Sequence, residues 1–215
     1  MIPTQQENEI TQPTELRDFF EWHQGIKYYG FWAIEVQNPR CLQQLNIWQQ
    51  SIADTLHPNY LRQAHITLSA SGLLDEKHFT EHDLQQQIEA LKRARIPAFS
   101  ICSSSPNTFT TAPYLSINDP SISLARIRDQ LHHLRDGQDA CEYIPHITLG
   151  FYNQAYSIPQ ILNQLSSLNI PAIEFKVKEL VFARYNTHEI QGRYHVLHRI
   201  PLDWIIDFLL DAQRQ

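Results

Sequence analysis

The chain has 215 residues, 42% of them hydrophobic and 19% charged, with twelve prolines against six glycines. This composition supports a buried core, excludes disordered and collagen-like classes, and at this length fits one large domain or two small lobes. Seventeen Lys and Arg against twenty-three Asp and Glu leave a net charge of -6, which argues against binding a long nucleic-acid tract through counterion release.

The first residues, to Asp18, are polar and acidic with no basic and apolar leader pattern, so residues 1–28 are expected to form a loose N-terminal arm. The first strand reads Tyr29 to Val36. Asn38-Pro39 supplies an N-cap and a first helical residue, and Leu42, Leu45, Trp48, Ile52 and Leu56 predict one buried face of a helix that His57-Pro58 stops. A strand over Ala64 to Ala70 and a turn at Ser71-Gly72 follow. Thr80 to Asp83 reads as a capping box for a helix with Leu84, Ile88 and Leu91 inside, and Pro97 to Ser103 as a strand.

The second half repeats this order. Phe109 to Ile117 is predicted as a strand, Asp119-Pro120 as a helix start, and Leu124, Ile127, Leu131 and Leu134 as the buried stripe. Ile144 to Phe151 is then a strand, Ser157 caps a helix carrying Ile161, Leu165 and Leu168, and Ile173 to Arg184 is a long strand. Gly192 to Leu202 adds a hairpin partner, and Asp203 to Leu210 reads as a helix packed on the body. The halves match element for element, about 29–104 against 107–184, as a duplicated lobe does. The expected organisation is one bilobal domain over 29–202 with a helical extension over 203–215.

Three cysteines, Cys41, Cys102 and Cys141, show no metal or disulfide spacing and fit a reducing, cytoplasmic compartment. The longest apolar stretch, Leu202 to Leu210, is interrupted by Asp203 and Asp207, so no membrane association is expected. Nine further histidines, His23, His57, His78, His82, His132, His133, His188, His195 and His198, lack ligand spacing and read as structural or solvated.

One motif carries chemistry. His-Ile-Thr-Leu occurs at His65 to Leu68 and again at His146 to Leu149, in the same element of each half. Chance gives roughly 0.6 bare H-x-T matches in such a chain, but on the order of 0.01 once Ile and Leu are required. On a strand, residues two apart share a face, so each His stands beside its Thr while Ile and Leu enter the packed side. Two imidazoles that titrate near neutrality and two hydroxyl donors suit in-line displacement at phosphorus, with one His as base and one as acid. No metal or other cofactor is called for by this scheme.

The paired motifs, with Pro145 before the second His, FWAIEV near the start and LVFARYN followed by GRYHVLHRIPL near the end, resemble the 2H phosphoesterases, the superfamily of 2′-5′ RNA ligase-like proteins and RNA 2′,3′-cyclic phosphodiesterases. The likeness covers about 29–202. It implies an α+β, duplicated bilobal fold of two antiparallel-rich sheets with outer helices and a central cleft. It also implies His65, Thr67, His146 and Thr148 as the functional set, with His146 leaning towards base and His65 towards acid, although nothing local separates the two strands. Many members of the RNA ligase-like branch carry an arginine soon after the second motif; here Gly150, Phe151 and Tyr152 follow. Phe151 or Tyr152 is a candidate for base stacking, and Arg184 and Arg193 for phosphate contact. The implied function is hydrolysis of a 2′,3′-cyclic phosphate on an RNA end or nucleotide by a monomer. The alternatives are 2′-5′ cleavage or ligation, and a nucleotide-binding module without turnover.

Overall fold

The computed structural model describes residues 10–132 and 142–202. The expectations for His133, Leu134, Cys141 and the 203–215 extension lie outside the described residues. In chain order the elements are α1 (Phe20–His23), β1 (Tyr28–Glu35), α2 (Pro39–Ser51), a 3-10 turn (Ala53–Thr55), β2 (His65–Leu73), α3 (Glu81–Ala94), β3 (Phe99–Thr108), β4 (Pro113–Asn118), α4 (Ser123–His132), β5 (His146–Thr148), α5 (Ile158–Ser167), β6 (Glu174–Val177), β7 (Glu179–Asn186) and β8 (Tyr194–Pro201).

Short-range signals set the helix starts. The Asn38 side chain accepts the Cys41 N–H at 3.1 Å with Pro39 inside the first turn of α2. Thr80 and Asp83 close a reciprocal capping box on α3. Asp119 behaves differently from the expectation of a helix opening at Pro120. Its carboxylate accepts the Ser121 N–H at 3.1 Å and the Leu124 N–H at 2.6 Å, which folds a turn first and delays α4 to Ser123. Leu84, Ile88 and Leu91 of α3, Leu124, Ile127 and Leu131 of α4, and Ile161 and Leu165 of α5 are buried as their spacing predicts, with Leu168 partly buried at the end of α5. In α2, however, Leu42 is 40% exposed and Cys41 and Gln44 join Leu45 and Trp48 inside, so the buried face is rotated and the helix ends at Ser51 rather than near Leu56.

Among the described residues eight strands form two antiparallel sheets, ordered β2-β1-β7-β8 and β5-β4-β3-β6. Three strand expectations are corrected. The expected Phe109 to Ile117 strand contains a hairpin turn, where Phe109 N–H donates to Ala112 O at 2.9 Å, so β3 runs on to Thr108 and β4 starts at Pro113. The expected long strand over 173–184 breaks at Lys178, leaving β6 on β3 while β7 crosses to β1. The turn expected at Ser71-Gly72 is absent: β2 continues to Leu73 and absorbs register shifts opposite Gly30/Phe31 and Trp32/Ala33. A Cβ on Gly30 would stand 2.7 Å from Leu74 Cδ2 and 2.8 Å from Phe182 Cζ, so any side chain there would have to displace Leu74 and the buried Phe182 ring.

The sequence repeat and the spatial lobes therefore do not coincide. Strand β3, the last of the first sequence unit, pairs with β4, and β7 of the second unit pairs with β1. Each unit gives a strand to the other's sheet, which interlocks the lobes around one continuous hydrophobic core. Trp48 on α2 donates its indole N–H to Leu165 O on α5 at 3.3 Å, and Trp32 on β1 donates to Gln87 Oε1 on α3 at 2.7 Å, so neither of these two large core side chains leaves a buried donor unpaired. The described part of the arm is not loose. Thr11 N–H donates to Tyr156 O at 2.8 Å, Gln12 N–H to Thr110 O at 2.7 Å and Thr14 N–H to Tyr152 O at 2.9 Å, docking the segment on the second lobe. Among the described residues no helix is long and apolar enough to cross a membrane.

Candidate active site

Both HITL segments lie on sheet edges: β2 is the outer strand of the first sheet and β5 of the second. The second lobe reaches across to β2, where Tyr143 donates its hydroxyl to Thr67 O at 2.9 Å and Arg128 donates to Leu68 O. Two carbonyls of the β2 edge are thus satisfied by side chains of the other lobe, one from α4 and one just ahead of the second motif. In both strands the alternation is as predicted, with Ile66, Leu68, Ile147 and Leu149 at 0% exposure while His65, Thr67, His146 and Thr148 are half-buried on the opposite face.

The two histidines are anchored in the same way. His65 Nδ1 lies 2.8 Å from Gln63 O, and His146 Nδ1 lies 2.7 Å from Ile144 O, each a carbonyl two residues upstream. A carbonyl only accepts, so each Nδ1 carries the proton and Nε2 keeps its lone pair for a reacting group. Each ring is also walled by two aromatics. Phe31 and Tyr194 stand 5.4 and 5.3 Å from His65, and Phe109 and Tyr114 stand 4.9 and 5.3 Å from His146. The Thr67 and Thr148 hydroxyls have no protein partner among the described residues and so are available to an anion.

Burial lowers the pKa of both imidazoles. For His65 the value falls to about 4, with the charge of Arg62 and then that of His146 adding to the effect of burial against the Gln63 carbonyl. His146 moves in the same direction for the same first reason, with Ile144 O opposing, and no arginine among the described residues adds to it. The charge of His146 acts on His65, so the two imidazoles lie within electrostatic reach.

Of the four outlying candidates, the structure repositions two. Tyr152 is fully buried, its hydroxyl 2.7 Å from Thr108 Oγ1, so it belongs to the core and offers no ring face to a base. Arg184 stands two residues from Phe182 on β7, and Phe182 faces Trp32 in the core; Arg184 therefore leaves the sheet on the side away from His65 and stacks on Tyr28 at 3.9 Å. Phe151 remains partly exposed, edge-on to Tyr60 at 5.6 Å. Arg193 is exposed just before β8.

Several site residues carried no sequence signal. Phe31, Tyr194, Phe109 and Tyr114 read only as strand or hairpin aromatics, and Arg62 falls in an irregular stretch without periodicity. Its guanidinium lies 4.3 Å over the Tyr185 ring, while Nε donates to Gly192 O at 3.2 Å and Nη2 to Glu189 O at 3.4 Å. Elsewhere, tertiary structure gathers Asp18, His23 and His188, whose ligand atoms lie within 4.8 Å of one another, although their sequence spacing suggested nothing. The Gly25 N–H donates to His23 Nδ1 at 3.0 Å, so His23 Nε2 carries the proton that Asp18 accepts at 2.5 Å. That tautomer makes the group a hydrogen-bonded tie between arm and β7–β8 turn; a metal would need the opposite one.

An edge-to-edge pair of H-x-T strands in two interlocked antiparallel sheets defines the class of two-histidine phosphoesterase folds. Residues 36–189 match the model of the 2′-5′ RNA ligase superfamily, and the chain belongs to that family. No curated protein matches the sequence. Among solved structures, the fold is similar to Escherichia coli LigT complexed with 3′-AMP, at 17% identity and a TM-score of 0.56 over 81% of this chain and 98% of that one. TT0787 of Thermus thermophilus gives 16% identity and a TM-score of 0.55 over 81% and 97%, and Usb1 of Kluyveromyces marxianus 12% and 0.53 over 80% and 97%. Family membership supports a phosphodiesterase-type activity.

Proposed function

We propose that the protein is a metal-independent phosphodiesterase that opens a 2′,3′-cyclic phosphate on an RNA end or nucleotide. The observation that carries this reading is the matched pair of Nδ1-anchored imidazoles, each beside an unpartnered threonine hydroxyl. A neutral Nε2 removes a proton from water as its oxygen bonds to phosphorus. The opposite imidazolium delivers its proton to the departing ribose oxygen as that P–O bond breaks, leaving a phosphomonoester and a free hydroxyl. Thr67 and Thr148 donate to the non-bridging oxygens while charge gathers there. That LigT is seen with 3′-AMP and with phosphate supports a small nucleotide as ligand. The free thiols of Cys41 and Cys102 fit a cytoplasmic setting.

The surroundings favour His65 as base and His146 as acid, the reverse of the lean from resemblance. Burial and then the charge of Arg62 raise the cost of charging His65, whose value falls to about 4, so the single proton shared by the pair resides more on His146. Phe151, partly exposed and edge-on to Tyr60, which stands two residues before Arg62, is a candidate stacking surface for a base. The test is incubation of purified protein, with and without EDTA, with 2′,3′-cyclic nucleotides, cyclic-phosphate RNA ends and 2′-5′ oligonucleotides, with product identification. Turnover of the cyclic substrates unaffected by EDTA is expected. Turnover confined to 2′-5′ linkages, or nucleotide binding with no turnover, would replace this reading by the corresponding alternative.

A further inference from the structure

Residues 61–63 form a strap laid against the β7–β8 hairpin. Leu61 N–H donates to Gln191 O at 3.0 Å, and the Gln63 side chain exchanges two hydrogen bonds with the Tyr194 backbone, at 3.0 and 3.1 Å. Tyr194 and Phe31 both touch the His65 ring, and Phe31 also touches Tyr185, on whose face the Arg62 guanidinium rests. The strap therefore fixes Arg62 on the catalytic face of the first sheet. Its protein partners are two backbone carbonyls and a ring, all neutral, and no carboxylate pairs with it among the described residues. Arg199, on the same sheet face, is by contrast neutralised by Glu35 at 2.7 Å and by Glu179. A half-buried guanidinium with its orientation set and its charge unmatched has donors left for an oxyanion, and planar N–H pairs suit phosphate oxygens.

We propose that Arg62 is a substrate-binding residue that takes a phosphate oxygen of the nucleotide on the His65 side of the cleft. Its charge is felt at His65 more strongly than that of His146, in keeping with a position beside the reacting centre. The inference rests on the phosphodiesterase reading, but its test uses ligands that cannot turn over, so each can fail without the other.

Adenosine 3′-monophosphate and adenosine 3′,5′-bisphosphate are titrated into the full chain by calorimetry, for wild type, Arg62→Met and Arg62→Lys, at two salt concentrations. Loss of one charge-assisted contact predicts affinity weakened about tenfold to a hundredfold in Arg62→Met. Arg62→Lys is expected to recover part of that loss, and the salt dependence of binding to be shallower in Arg62→Met than in wild type. An equal loss on both ligands assigns Arg62 to the phosphate at the reacting position. A loss confined to the bisphosphate assigns it to the neighbouring phosphate. Wild-type affinity for both ligands in Arg62→Met would overturn the proposal, as would a wild type that binds neither. A loss of affinity in a protein that hydrolyses no cyclic substrate would leave Arg62 in place and remove the catalytic reading alone.

Discussion

The two halves of the site share one tetrapeptide and differ in everything around it. His65 sits on a nine-residue strand whose outer edge is held by Tyr143 and Arg128 from the other lobe, and it lies within the field of Arg62. His146 sits on a three-residue strand, with no arginine among the described groups that shift it. Identical tetrapeptides, each anchored through Nδ1 to a carbonyl two residues upstream and each walled by two aromatics from other segments, thus carry unequal costs of protonation. A mechanism that needs one neutral and one charged imidazole draws on that inequality rather than on the motif.

The largest effect expected from breaking the pair is on turnover. His65→Ala and His146→Ala should each lose about 10² to 10⁴-fold in kcat/KM on the best substrate, while keeping a cooperative thermal transition. A substrate with an activated leaving group, which needs no protonation, should rescue His146→Ala far more than His65→Ala. Selective rescue of His65→Ala would exchange the two roles, and near-wild-type turnover in either variant would end the two-histidine scheme.

The threonines come next. Thr67→Val and Thr148→Val keep the β-branched shape and should fold normally, yet each should lose about tenfold to a hundredfold in kcat, for one charge-assisted hydrogen bond of about 1.5–3 kcal/mol. Steady-state kinetics on both variants checks this, and full activity in both would remove the hydroxyls from the reaction.

The pH profile sharpens the comparison. The base must be neutral and the acid protonated, and burial lowers both imidazoles, so both limbs of the kcat/KM bell shift to the acid side of the ordinary value of 6.5. Its acidic limb should fall near His65's value of about 4, and its maximum between there and 6.5. A pH–rate series places both limbs, and an optimum above pH 7 would contradict the burial of the pair.

The same shift acts on stability with a smaller amplitude. An imidazole whose folded pKa lies below its unfolded one stabilises the native state fully above 6.5, and that contribution is lost as pH falls towards about 4. Thermal melts of wild type should therefore decline over this window more steeply than those of His65→Gln. The smallest effect belongs to the clamp between lobes: Tyr143→Phe removes one hydrogen bond to Thr67 O, worth about 1 kcal/mol of stability by melting.

Much of the molecule was legible because it is written at short range. The Asn38 cap and the Thr80–Asp83 box sit within four residues of the N–H groups they satisfy, and the i, i+2 rule alone placed His65 with Thr67 and His146 with Thr148 on one face. The same rule held an unused signal, since Arg184 stands two residues from the core-facing Phe182 and so departs from the site.

What the sequence determined by itself is the inner face of each motif strand, the buried stripes of α3, α4 and α5 and the duplicated chemical unit, all properties of a few neighbouring residues. Tertiary structure alone decided which strands are neighbours. An alternating strand such as Phe99 to Thr108 buries its apolar side equally well in either sheet, and only competition among all eight strands sends β3 to the second lobe and β7 to the first. That exchange brings two edge strands together and lays the 61–63 strap over Tyr185, so the inequality between His65 and His146 arises from packing between segments far apart in the chain.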